Sequence, residues 1–230
     1  MITNTLNLDI LLTVASGLGE LIDRVVFVGG AVVELYVDEE SGNSPLRPTN
    51  DVDFFVEIHT FAQLVNFQEL LAQKQFYPAS DQNVICRFRY KEVLVDVMST
   101  TEIGWAPANK WFASGYKSLQ KIALNSEISI SVLSFPYFLA TKFAAYHDRA
   151  SDPRTSQDFE DIVYVLDNRS KWYDEILNAP EDVKEFLINE LQQLLKDEME
   201  EAIICHLSYY EQNERLSLIK EKILKLTYNS

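Results

Sequence analysis

The spacing of apolar residues changes repeatedly along the chain, and each change predicts an element. From Leu6 to Ile22 leucines and isoleucines recur at helical spacing, so an amphipathic helix is expected. Val25 to Val28 is a β-branched and aromatic run that reads as a buried strand, ended by Gly29-Gly30. A short apolar helix follows from Ala31 to Val37. Asp38 to Asn50 carries Gly42, Asn43, Pro45 and Pro48 and reads as a loop. A second strand is predicted from Asp51 to Ile58. Thr60 then caps a helix running through Lys74, with Phe61, Leu64, Val65, Phe67, Leu70 and Leu71 inward. Alternation predicts strands from Val84 to Tyr90 and from Glu92 to Met98, joined by a tight turn at Tyr90-Lys91-Glu92. Gly104 to Tyr116, with Trp105, Asn109, Lys110, Trp111 and Phe112, reads as a loop whose aromatics cover the core. Ile128 to Val132 is a last short strand.

Beyond Ser134 the pattern becomes helical throughout. Ser134 is placed as an N-cap with Pro136 in the first turn, and the helix continues to about Asp148 with Phe138, Leu139, Phe143 and Ala144 packed. Thr155 or Ser156 caps the next helix, Gln157 to Leu166. On it Asp158 and Asp161 are read as a polar face, and Lys142 with these aspartates as a solvated ion pair between helices. Amphipathic helices are expected over Lys171 to Leu177, Pro180 to Lys196, Glu198 to Tyr210 and Gln212 to Leu226, and Asp197 to Glu201 is a solvated acidic run. The predicted fold class is α+β: a mixed-sheet domain flanked by helices over 1–133, then a helical bundle over 134–230.

The formal charge of −15 excludes broad adhesion to a nucleic-acid backbone, which needs a basic surface, but leaves room for a local basic pocket or a cationic substrate. Cys86 and Cys205 both fall in apolar patterns and are expected as buried free thiols, which points to a cytoplasmic setting. The first sixteen residues lack the basic start of a signal peptide, and no apolar run reaches membrane-spanning length. His59, His147 and His206 are not spaced as a zinc site.

The chemistry concentrates between Phe27 and Val56. On a strand Asp51 and Asp53 point to one face while Val52 points into the core. Like charges held that close repel, and a divalent cation such as Mg²⁺ relieves the repulsion while binding phosphates. Gly29 and Gly30 beside them allow a backbone to approach a phosphate. Asp96 is the one carboxylate in the apolar strand Val93 to Met98; buried, it needs an ion pair or a metal.

This series resembles the nucleotidyltransferase superfamily of DNA polymerase β, the CCA-adding enzymes and the antibiotic nucleotidyltransferases, and more narrowly its AbiEii/AbiGii toxin-like branch. The resemblance rests on Gly29-Gly30, Asp51-Val52-Asp53 and Asp96. The narrower branch is carried by Thr49 to Phe54, Arg87 to Tyr90, Val95 to Met98, Phe138 to Phe143 and Asp158 to Val163. Where many members have Ser after the first glycine, this chain has Gly30, as in the CCA-adding type, which leaves phosphate contact to backbone N–H groups.

The resemblance implies an enzyme that moves a nucleoside monophosphate from a triphosphate to an acceptor hydroxyl. It implies two Mg²⁺ ions on Asp51, Asp53 and Asp96, and a cleft-facing Lys142 and Asp158. Gly29, Gly30, Thr49, Arg47, Arg87 and Arg89 become nucleotide-site candidates; for the three arginines, structural ion pairs fit equally well. The acceptor is tRNA or a small molecule such as an antibiotic, and an antitoxin is a further expected partner. A non-catalytic nucleotide- or partner-binding protein, or a kinase-like transfer of the terminal phosphate, are the alternatives.

Overall fold

The structure, a computed structural model, describes residues 6–38, 46–80 and 84–229. Gly42, Asn43 and Pro45, expected to shape the loop, fall outside them, and Pro48 lies within. The chain forms two compact units: Met1–Leu35 with Arg47–Ser134, and Tyr36–Leu46 with Phe135–Ser230.

The first unit is built on a mixed sheet. Its strands among the described residues are β1 (Val25–Val28), β2 (Asp51–Val56), β3 (Tyr77–Pro78), β4 (Arg87–Tyr90), β5 (Val93–Ser99), β6 (Leu119–Ala123) and β7 (Ser129–Leu133). They lie in the order β3-β4-β5-β2-β1-β7-β6. β2 runs parallel to β5 and β1 parallel to β7; the other pairs are antiparallel. Helices α1 (Leu6–Leu18) and α2 (Phe61–Gln73) and the single turn α3 (Phe112–Gly115) complete the unit.

The first helix stops four residues short of Ile22 because Gly19 turns left-handed, at φ +55°, and the chain goes on as a 3₁₀ helix to Arg24. The expected helix after the glycine pair is likewise 3₁₀, Gly30–Tyr36. Thr60 caps α2 in a reciprocal capping box with Gln63. Only part of the expected inward face is buried: Leu64, Phe67 and Leu71 are, whereas Phe61 and Val65 are exposed. Phe112 stacks on Phe55 at 4.2 Å, so the aromatic loop does cover the core. The strand expected from Val84 begins at Arg87, and β3 and β6 had no counterpart in the sequence reading. Cys86 is buried; Cys205 is exposed, against expectation, at the last turn of its helix.

The second unit is helical: α4 (Phe135–Arg149), α5 (Gln157–Asn168), α6 (Trp172–Leu177), α7 (Glu181–Gln193), α8 (Asp197–Cys205) and α9 (Gln212–Asn229). Ser134 precedes α4, but its hydroxyl is bonded to that of Ser118, 3.1 Å away. Ser156 caps α5 by accepting from the Phe159 N–H at 3.3 Å. Tyr36 stacks on Phe138 with ring centres 4.0 Å apart, and the Tyr36 carbonyl accepts from Arg169. Asp38 accepts from the Ser170 N–H at 2.7 Å. These contacts lie within the helical unit, to which Tyr36 and Asp38 belong. Trp172 is fully buried and donates its indole N–H to the Leu166 carbonyl at 2.9 Å.

Candidate active site

Strand register brings the acidic residues together. Val28 on β1 pairs with Asp53 on β2, Asp53 with Asp96 on β5, and Asp96 with Arg87 on β4. Residues directly opposite in a sheet share a face, so these side chains form one row across four strands. Asp51, two residues before Asp53, stands on the same face. Val52 and Val95 point the other way and are fully buried. The alternation that makes β2 and β5 core strands therefore also aims their carboxylates to one side.

Arg87 binds the row together. Its Nε donates to Asp96 Oδ1 at 2.7 Å and its Nη2 to Asp96 Oδ2 at 2.7 Å, a two-pronged pairing; Nη2 also reaches Asp51 Oδ2 at 3.2 Å. The side chains are 17% exposed for Arg87, 14% for Asp96 and 32% for Asp51, so the cluster is half-buried and still open to water. The Asp96 hydrogen bond and the neighbouring carboxylates hold the Arg87 guanidinium well above its ordinary pKa. Burial, then the Asp96 charge, pushes the adjacent Cys86 thiol up to about 11, so it stays protonated and unreactive at neutral pH.

The approach to β2 is pinned from α1. Asn7, buried at 3% exposure, accepts from the Thr49 N–H at 2.9 Å and donates to the Arg47 carbonyl at 3.3 Å. Thr49 in turn donates its hydroxyl to Asp51 Oδ1 at 2.6 Å. Asn7 is a positioning residue that sequence reasoning missed, since one Asn among leucines on a helix carries no signal by itself.

Gly29 sits at φ +77°, and a Cβ there would overlap the Asp53 carboxylate. The glycine is thus required twice, for its backbone and for the space that Asp53 occupies. At Gly30 an added Cβ would stand 3.2 Å from the Arg47 guanidinium and 3.7 Å from Thr49. Arg89 is placed otherwise: it lines a shallow groove at the sheet edge with Tyr77, Pro78 and Lys91.

In the helical unit Lys142, Asp158 and Asp161 form a cluster of their own. Lys142 Nζ lies 2.7 Å from Asp161 and 3.5 Å from Asp158, and Arg149 pairs with the other oxygen of Asp158. The expected solvated ion pair is instead buried: Lys142 is 5%, Asp158 4% and Asp161 1% exposed. The packed apolar faces of α4 and α5 enclose it.

Does the carboxylate row suit Mg²⁺? The donors are hard oxygens, a cation already sits among them in the form of the guanidinium, and Gly29 leaves room for the Asp53 carboxylate. In chemistry and placement Asp51 and Asp53 fit. Both oxygens of Asp96 are engaged by Arg87, and among the described residues no three acidic, His or Cys side chains are gathered tightly enough to hold one ion. No helix among the described residues is long and apolar enough to cross a membrane.

Comparison with known proteins bears on the fold and the family. No curated protein matches the chain. Among solved structures, the chain is similar to an antigenic nucleotidyltransferase-like protein from Paracoccidioides brasiliensis, at 16% identity and a TM-score of 0.51, covering 88% of this chain and 94% of that one. At that identity the likeness concerns the fold. The family described as "Nucleotidyl transferase AbiEii toxin, Type IV TA system" matches residues 11–216, which include every carboxylate discussed above. The chain therefore belongs to the AbiEii family of nucleotidyltransferase toxins of type IV toxin–antitoxin systems.

Proposed function

We propose that the chain transfers a nucleoside monophosphate from a triphosphate to a hydroxyl of RNA, with tRNA the acceptor that its family favours, and that an antitoxin accompanies it. The observation that carries this reading is the row of Asp53, Asp96 and Arg87 in register, with Asp51 two residues away and drawn to the same guanidinium. A purely structural sheet has no need of three carboxylates on one face.

Asp51 and Asp53 would hold Mg²⁺, and Asp96, gripped by Arg87 in this structure, would join them only once that contact opens. Bound there, the metal supplies positive charge to the triphosphate and acidity to the acceptor hydroxyl. The chain's own residues do the rest. The backbone N–H groups at Gly29-Gly30, which carry no side chains of their own, would receive phosphate oxygens. Thr49 and Asn7 hold Asp51 in place. The acceptor oxygen attacks the α-phosphorus, the bond to the bridging oxygen of the β-phosphate breaks, and pyrophosphate leaves. Asp96 takes the acceptor's proton. The reading rests on residues of the sheet unit alone.

One other acceptor class has an observation in its favour: the net charge of −15 suits a cationic small molecule. The test is to incubate the protein with each α-labelled nucleoside triphosphate, Mg²⁺, and either total cellular RNA or a panel of aminoglycosides. Label in an RNA of tRNA size is the expected result. Label in an aminoglycoside would replace the RNA reading, and label absent from every α-labelled reaction would remove nucleotidyl transfer as the activity.

A further inference from the structure

The guanidinium of Arg87 is bonded to two of the carboxylates that would hold a metal. It grips both oxygens of Asp96 at 2.7 Å and shares one oxygen of Asp51 at 3.2 Å. Three like charges on one sheet face cannot stand unneutralised in a half-buried setting, and this chain supplies the neutralising cation itself. An arginine fork is suited to this, because it matches a carboxylate with two parallel hydrogen bonds.

We propose that Arg87 is an internal counter-ion that competes with divalent metal for Asp96 and Asp51, so that metal binding must displace its guanidinium. The proposal rests on the reading that these carboxylates hold the metal. Three observations carry it. The pairing is two-pronged, so Asp96 keeps no oxygen clear of Arg87. Register fixes the pair: Arg87 lies directly opposite Asp96 on neighbouring antiparallel strands, so the contact is built into the sheet. The partners are partly open to solvent, so the guanidinium can leave without disrupting the core.

A consequence is that metal and nucleotide should bind together. Metal alone must displace the guanidinium and leave it without an anion at the site. A triphosphate arriving with its metal gives the displaced guanidinium a new anionic partner. Mg²⁺ alone therefore binds weakly and Mg²⁺ with nucleotide tightly, and Arg87 sets the difference.

The experiment is calorimetric titration of Mg²⁺ alone, without nucleotide, into the wild-type chain, Arg87→Met and Arg87→Lys. Arg87→Met is expected to bind Mg²⁺ about tenfold more tightly than wild type, equivalent to about 1.4 kcal/mol of competition removed. Arg87→Lys keeps the charge but loses the fork and should fall between them. Thermal melts in EDTA and in Mg²⁺ accompany the titration. Arg87→Met should melt lower than wild type in EDTA and gain more from Mg²⁺. If Arg87→Met does not fold, the gain is read from Arg87→Lys. A wild type that binds Mg²⁺ and variants that bind it no more tightly would overturn the competition while leaving the metal site standing. If neither wild type nor variants take up Mg²⁺ alone or with nucleotide, the proposal and the metal reading fall together.

Discussion

Replacing both β2 carboxylates, Asp51→Ala with Asp53→Ala, is expected to reduce Mg²⁺-dependent transfer of label by at least about 10³-fold, the scale on which a preorganised electrostatic group acts. The fold should persist. Asp51 is a third exposed, Val52 and Phe54 hold β2 in the core, and Arg87 keeps its two-pronged contact with Asp96. Removing two like charges from one face also relieves repulsion in the metal-free protein. The double variant should therefore melt near the wild type in EDTA and lose the shift that Mg²⁺ gives the wild type. Assay and melts together separate a lost site from a lost fold. Transfer that persists in the folded double variant would remove these residues from the reaction.

The second large effect concerns stability. Lys142→Met should destabilise the helical unit by about 3–5 kcal/mol, because it removes the ammonium shared by two buried carboxylates. Asp161, at 1% exposure, loses the ammonium 2.7 Å away, and Asp158, at 4%, loses the same ammonium at 3.5 Å. In a chain of this size that corresponds to a melting point lower by roughly 10 °C. Adding Asp161→Asn removes one of the two buried carboxylates that the ammonium faced and should recover part of the loss. A single variant as stable as wild type would show that the cluster contributes little to holding α4 against α5.

The parts of this fold legible in the sequence are those where chemistry and pattern coincide. The β1 run, the left-handed glycine and the Asp-Val-Asp alternation each follow from one local rule, and the register then aligns them. The N-cap at Thr60 was similarly visible; the structure adds the reciprocal contact from Gln63 that completes a capping box. What stayed hidden depended on surroundings. β6 has no apolar stripe to betray it; its residues are mostly exposed at the sheet edge, where pairing with β7 alone makes the strand. β3 is two residues long and contains a proline, so no periodicity can register. Lys142, Asp158 and Asp161 read as a solvated ion pair between helices because helical spacing cannot say that the pair will be buried. Cys205 lies in an apolar stretch, yet its position at the end of α8 turns it outward.

The candidate site shows the same division. Each carboxylate was identifiable by its strand, but their cation was not. Arg87 lies nine residues from Asp96 in sequence, and only the β4–β5 register makes them opposite neighbours. Asn7 lies further still from Thr49 and reaches it only because α1 packs beside β2.

The central claim is that acidic side chains of two adjacent strands bind nucleotide through a divalent ion. Calorimetric titration of the nucleoside triphosphates into the wild-type chain, with Mg²⁺ and again in EDTA, tests it most directly. Saturable heat that appears with Mg²⁺ and vanishes in EDTA is the result predicted, and equal binding in both conditions would contradict it.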